Sequence, residues 1–169
     1  PRFDQVVVAA GVWSRELVRG LGLKLLLETE RGYNTTFTDL DWQLPMPLGF
    51  ADHGFVATPL VDGLRVGGAV ELARPETAPN YRRAAAMRQK MRRYVPALPE
   101  GGSEWMGRRP STPDSLPVIG RHPGDRRILF AFGHGHLGLT LSASTGRLVA
   151  EMAAGGEERP EFSIRRFNS

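Results

Sequence analysis

The 169-residue sequence contains no cysteine. That absence excludes disulfides, thiolate metal sites and thiol catalysis, although it does not identify the redox compartment. No apolar run approaches the roughly 20 residues needed to span a bilayer, and no signal peptide opens the chain, so the sequence predicts a soluble, non-secreted protein. A Gly-x-Ser-x-Gly elbow, a phosphate-binding loop ending in Gly-Lys-Ser/Thr and a complete Gly-x-Gly-x-x-Gly after an N-terminal strand are all missing. A hydrolase or kinase reading therefore has no support. Internal repeats and low-complexity tracts are absent as well. His134 and His136 are close in sequence, but His53 and His122 are far off and no zinc-helix spacing exists, so no metal is expected. An initiator methionine is also lacking: Pro1, Arg2, Phe3 and Asp4 lead at once into a strand-like run, which predicts a piece of a longer protein.

What is present is ordinary globular material, 41% hydrophobic and 24% charged, enough for a sizeable core. Residues 3–10 read as a fully buried strand, followed by a turn and a helix through Leu21 with Ser14 as its N-cap. Two β-rich runs between Leu23 and Thr38 divide near Arg31 and Gly32, and two more, 54–60 and 64–70, flank Asp62-Gly63, the signature of a tight type I′ hairpin. An amphipathic helix spans roughly 80–95, a short strand 104–107, a strand 128–132 and a helix 138–154 that Gly155 and Gly156 stop. The tail from Glu157 lacks pattern and is expected to fray. The fold class that results is α+β: α/β units at both ends flank an antiparallel sheet with an amphipathic helix. The net charge of +4 is mild. Much of it lies in residues 82–93, where Met87 and Met91 occupy one helix face and arginines the other; a solvated face is favoured, and no nucleic acid is expected.

Two segments could carry chemistry. Arg109 alone reads as a surface arginine beside Arg108. Its place between Trp105 and the Thr112-Pro113-Asp114 run, on a backbone stiffened by proline, makes its guanidinium a candidate for gripping a carboxylate. Asp114 reads as a residue that pins the turn. The run Gly133, His134, Gly135, His136, Leu137, Gly138, Leu139, Thr140 joins a strand to a helix N-terminus, and reads equally as an ordinary tight turn or as a place where backbone N–H groups meet an anion.

Residues 6–14 (Val-Val-Val-Ala-Ala-Gly-Val-Trp-Ser), 30–33 (Glu-Arg-Gly-Tyr), 65–71, 107–120 and 133–140, in that order and spacing, resemble the FAD-dependent D-amino-acid oxidase and dehydrogenase superfamily. The D-amino-acid dehydrogenase small-subunit, hydroxyproline dehydrogenase and glycine oxidase branches are those it is most similar to. The resemblance covers the C-terminal part of such an enzyme and implies a partial FAD-binding domain (1–22 and 106–156), a substrate-binding domain (23–105) and a C-terminal tail (157–169). It implies FAD as cofactor, with Gly11 and Trp13 toward its pyrophosphate and Gly133, Gly135, His136, Leu137, Gly138 and Leu139 toward the flavin. Arg109 matches the arginine that holds the substrate carboxylate, and the implied reaction is oxidation of the C–N bond of a D-amino acid by hydride transfer to flavin N5. An imino acid, then a keto acid and ammonia, would follow.

Val56 stands where glycine oxidase-like members carry a tyrosine, so Tyr33 and His53 are the candidates for substrate binding in its place. His136 stands where dehydrogenases of this kind have a smaller residue, which would narrow the substrate range. The implied partners are an amino-acid substrate, the missing N-terminal FAD-binding region and, peripherally, a membrane electron acceptor, giving a cytoplasmic or inner-membrane-associated location. The isolated segment is expected to be inactive and to bind FAD weakly or not at all. The rival expectation is a non-catalytic basic module, or decayed fragment, that recognises an acidic partner through the 82–93 helix.

Overall fold

Alternation along residues 28–38 puts Arg31, Tyr33, Thr35 and Phe37 on one buried strand face. The strand runs unbroken through Arg31 and Gly32, where the sequence predicts a division. Its continuity has a physical cause: the fully buried Arg31 guanidinium donates to the backbone carbonyls of Arg74, Pro75, Thr77 and Ala78, so its charge is solvated by protein.

The computed structural model describes residues 2–167; Pro1 and residues 168–169 of the expected terminal segments lie outside them. In chain order the elements are β1 (Val6–Val8), α1 (Ser14–Gly20), β2 (Glu28–Thr38), β3 (Leu48–Phe50), β4 (Phe55–Leu60), β5 (Gly63–Leu72), α2 (Arg82–Arg92), β6 (Ser103–Ser111), β7 (Val118–His122), β8 (Asp125–Phe132) and α3 (Ser142–Ala153). The fold is α+β, as the sequence predicts, and it divides into two compact units: residues 2–30 with 109–167, and residues 31–108.

The first unit holds a three-stranded sheet in the order β1-β8-β7, with β1 parallel and β7 antiparallel to β8. The C-terminal half of β8 packs on both faces. Phe130 and Phe132 pack with Val18, Leu27, Val118 and Ile164, while Leu129 meets Ile119 and Met152 of α3 on the other. β1 differs from the fully buried strand expected at 3–10. It is three residues long and pairs on one side only, leaving Val6 50% and Val7 44% exposed. Ser14 is not an N-cap either: a 3-10 turn, Gly11–Trp13, precedes α1, and the Ser14 hydroxyl accepts the Ala10 N–H at 3.1 Å. The tail is packed rather than frayed, with Ile164 fully buried in the core. α3 ends where expected, the Gly155 and Gly156 N–H groups donating to the carbonyls of Met152 and Glu151.

The second unit is a five-stranded sheet, β3-β4-β5-β2-β6, with α2 packed on it. Ala84, Met87 and Met91 of α2 bury against Phe55, Leu64 and Val66. The β4–β5 hairpin turns on Val61 and Asp62, neither with positive φ, so it is not the expected type I′ turn at Asp62-Gly63. Gly63 already pairs with Leu60; a Cβ there would meet the Phe37 carbonyl oxygen at 1.9 Å. Several α2 cations are engaged within the chain: Arg83 with Glu71, Arg88 with Glu104, Lys90 with the His53 carbonyl and Arg92 with the Pro99 carbonyl. β6 is longer than the strand expected at 104–107 and takes in Arg108, Arg109 and Ser111.

Candidate functional site

In the first unit β8 ends at Phe132 and the chain turns sharply. Gly133 (φ +81°) and Gly135 (φ +53°) adopt conformations that side chains disfavour, and a 3-10 turn, Gly135–Leu137, leads toward α3. The proline-rich turn after β6 meets this loop, so that a Cβ on Gly133 would stand 3.2 Å from Thr112 Cγ2. That second turn is locked by its own side chains. Thr112 Oγ1 donates to the Leu116 carbonyl at 2.8 Å, and Asp114 accepts the Leu116 N–H at 3.1 Å. Arg166 of the tail holds it from outside, with Nε 2.6 Å from Asp114 and Nη2 2.7 Å from the Leu116 carbonyl. The Arg166 hydrogen bond, ahead of the Leu116 N–H, holds the Asp114 carboxyl below the usual aspartate range.

Between the two turns lies a cleft of about 160 Å³, lined by Glu30, Ser111, Thr112, Ser115 and residues 133–137. His134 Nε2 lies 2.9 Å from Thr145 Oγ1, fastening the loop to α3, and burial pushes its pKa down, favouring the neutral ring. His136 Nε2 lies 3.3 Å from Glu30 Oε2. Leu137 and Leu139 are 53% and 89% exposed beside the glycines, an apolar surface next to a helix N-terminus. A neighbouring groove is walled mostly by small or short side chains, Val7, Ala9, Ala131, Gly138, Ser142 and Gly146 among them, together with the His134 ring.

Arg109 and Ser111 are alternate residues of β6 and share one strand face. Each has a buried polar atom without a hydrogen-bond partner: Arg109 Nη1 and Ser111 Oγ. Such groups are costly unless something satisfies them. Arg108, on the opposite face, instead donates from Nε to the Pro75 carbonyl at 3.0 Å. The two adjacent arginines are thus chemically distinct.

The structure brings Gly133, Gly135, His136 and Leu137 together at the cleft, with Gly138 on the adjoining groove. Gly11 (φ +56°) and Trp13, 59% exposed, lie in the 3-10 turn before α1 in the same unit. Tyr33 and His53 belong to the other unit. There the Tyr33 hydroxyl donates to Glu71 and accepts the Asn80 N–H, and it is this hydrogen bond, before the Arg83 and Arg31 charges, that lowers the Glu71 pKa. His53 Nε2 contacts the Tyr94 hydroxyl at 2.5 Å. Sequence reasoning gave no role to Ser111, whose signal was its place two residues beyond Arg109 on a strand, or to Glu30, which enters it only as the first residue of the 30–33 motif.

The positive-φ glycines, the exposed leucines, the helix N-terminus and the groove of small side chains fit a flat, electron-rich cofactor such as FAD. The comparisons with known proteins agree in kind. The D-amino-acid oxidase of Bradyrhizobium diazoefficiens is 41% identical over 98% of this chain and 40% of that protein, and the D-amino acid dehydrogenase of Paramagnetospirillum magneticum 36% identical over 91% and 37%. The crystal structure of glycine oxidase from Geobacillus kaustophilus superposes with a TM-score of 0.77 at 27% identity, over 95% of this chain and 45% of its own. The chain therefore spans about 40% of the length of these sequence relatives. The family described as FAD dependent oxidoreductase matches residues 2–152, and a match of that extent settles membership: the chain belongs to the FAD dependent oxidoreductase (DAO) family.

Proposed function

We propose that this chain is part of an FAD-dependent oxidoreductase that acts on an amino acid, with Arg109 as the group that binds the substrate carboxylate. The observation that carries this reading is the buried, unpartnered Nη1 of Arg109. A guanidinium nitrogen withdrawn from water without an acceptor is destabilising, and a carboxylate supplies the planar pair of oxygens that a guanidinium fork matches. Two of the relatives are named for amino acids, a D-amino-acid oxidase and a D-amino acid dehydrogenase, and an amino acid carries such a carboxylate.

FAD, when bound, supplies the acceptor for the hydride of the substrate's α-C–H bond. The residues of this chain do the positioning. Residues 133–139 would let backbone approach the cofactor, since Gly133 and Gly135 leave no side chain in the way, and the N-terminus of α3 would favour negative charge there. Gly11 and Trp13 would contact the pyrophosphate side. His134, neutral and tied to Thr145, keeps the loop in place, and the Thr112–Leu116 and Arg166–Asp114 bonds keep the carboxylate-binding strand end in register with its turn. Fixing the carboxylate aims the α-C–H, and orientation of this kind supplies much of the rate. The region 31–108 takes the substrate-side role, and FAD affinity depends on a region outside this chain.

The test is Arg109→Ala in the FAD-loaded enzyme that carries this segment, with kcat/KM for D-amino acids and flavin absorbance measured together. Flavin content should hold while kcat/KM collapses. Near wild-type turnover would overturn the assignment.

A further inference from the structure

Glu30 carries the only carboxylate among the described residues that line the cleft. It is the last residue of the first unit's opening segment and the third residue of β2. Its Oε2 meets His136 Nε2 at 3.3 Å, toward the long end of hydrogen-bond geometry, and the two side chains are 32% and 56% exposed. An imidazole at that distance, on a side chain more than half in solvent, is a weak and replaceable partner for a carboxylate. Ser111 of the cleft lining, and Arg109 two residues before it on the same strand face, are of the opposite kind. Arg109 Nη1 and Ser111 Oγ sit on one face of β6, buried and unpartnered, and Ser111 Oγ would stand 3.6 Å from a Cβ built on Gly135.

The site therefore has two poles: a guanidinium and a hydroxyl that need an acceptor, and a carboxylate that needs a better donor than it has. A ligand with a carboxylate and an amine on one carbon satisfies both. We propose that Glu30 is the amine anchor of this site, its carboxylate taking an N–H of the substrate's α-amino group in place of His136. The amino group donates to Glu30 whether or not it is protonated, and the protonated form adds a charge-assisted contact. Bound in this way, the amine and carboxylate fix two of the four substituents of the α-carbon, which leaves the C–H and the side chain to be ordered by the rest of the pocket. The inference rests on the reading of Arg109 as the carboxylate anchor.

The experiment compares two ligands that cannot be turned over: 2-aminoisobutyrate, which has no α-hydrogen, and isobutyrate, its counterpart without the amine. Dissociation constants are measured by calorimetry and by perturbation of the flavin spectrum in the FAD-loaded enzyme carrying this segment. The wild type should prefer 2-aminoisobutyrate. Glu30→Gln, which keeps the shape and removes the charge, should cut that preference about five- to thirtyfold, the range expected for one charged hydrogen bond at a half-exposed site, while isobutyrate binding is retained. Glu30→Asp, which keeps the charge and shortens the reach, should fall between. An unchanged preference in Glu30→Gln overturns the proposal, and so does an equal loss for both ligands, which would make Glu30 a wall of the cleft. Failure of the Arg109 reading looks different: isobutyrate would then bind Arg109→Ala as well as wild type.

Discussion

Arg108 and Arg109 are adjacent, identical in chemistry and opposite in circumstance. Strand alternation sends Arg108 to a backbone carbonyl at Pro75 and leaves Arg109 with a buried nitrogen that nothing satisfies. Truncating Arg109 should cost about 2–5 kcal/mol of transition-state binding, or roughly 30- to several-thousand-fold in kcat/KM. Arg109→Lys should recover only part of this because an ammonium lacks the planar fork. Arg108→Ala is the comparison: steady-state kinetics should show a small effect, and a larger loss there than in Arg109→Ala would refute the assignment. Asp114 answers to pH. Its folded-state pKa is depressed, chiefly by Arg166, so its contribution to stability is complete above the ordinary aspartate value and is lost as pH falls through the lower folded value. Thermal melts of wild type and Asp114→Asn should differ by a constant amount near neutral pH and converge in acid. The pair is partly exposed, so the difference should be about 1 kcal/mol or less.

At the scale of the element, β2 shows why a charged residue need not end a strand. Arg31 is buried because the segment 74–78 folds its carbonyls around the guanidinium, with Glu71 at 3.8 Å. Replacing Arg31 with Met would strand those carbonyls without donors, and we expect a loss of about 3–5 kcal/mol, the scale seen when a buried charged partner is removed. Urea unfolding should report it, together with faster proteolysis near residues 74–78; unchanged stability would mean that the segment is held by other contacts. The opposite lesson comes from α3. Its last turn ends on Gly155 and Gly156 and on the buried Arg121, which donates to the carbonyls of Met152 and Gly156, so propensity and tertiary contact agree there.

At the scale of the molecule, the first unit presents Val6, Val7 and Leu17 at 50%, 44% and 51% exposure around the outer side of β1, which has a single strand neighbour. Contiguous apolar surface of this kind favours association. The chain by itself should therefore associate with rising concentration in sedimentation velocity and should purify colourless. A well-behaved monomer at high concentration would contradict the first expectation, and a stoichiometric yellow flavin spectrum the second.

The sequence by itself determined the family, through the spacing of residues 6–14, 107–120 and 133–140, and the α+β class, because apolar runs and glycine punctuation are local signals. It also singled out Arg109 and the 133–139 loop, whose residue types are uncommon in combination. Tertiary structure alone decided that Arg31 continues a strand, that residues 157–167 pack around Ile164, that β1 lies open on one side, and that Glu30 faces His136 across a cleft. Each depends on a partner far away in the chain: carbonyls some forty residues on for Arg31, the core of the first unit for Ile164, a loop 106 residues distant for Glu30. Local propensity carries no record of such partners, since burial and pairing are properties of the assembled fold.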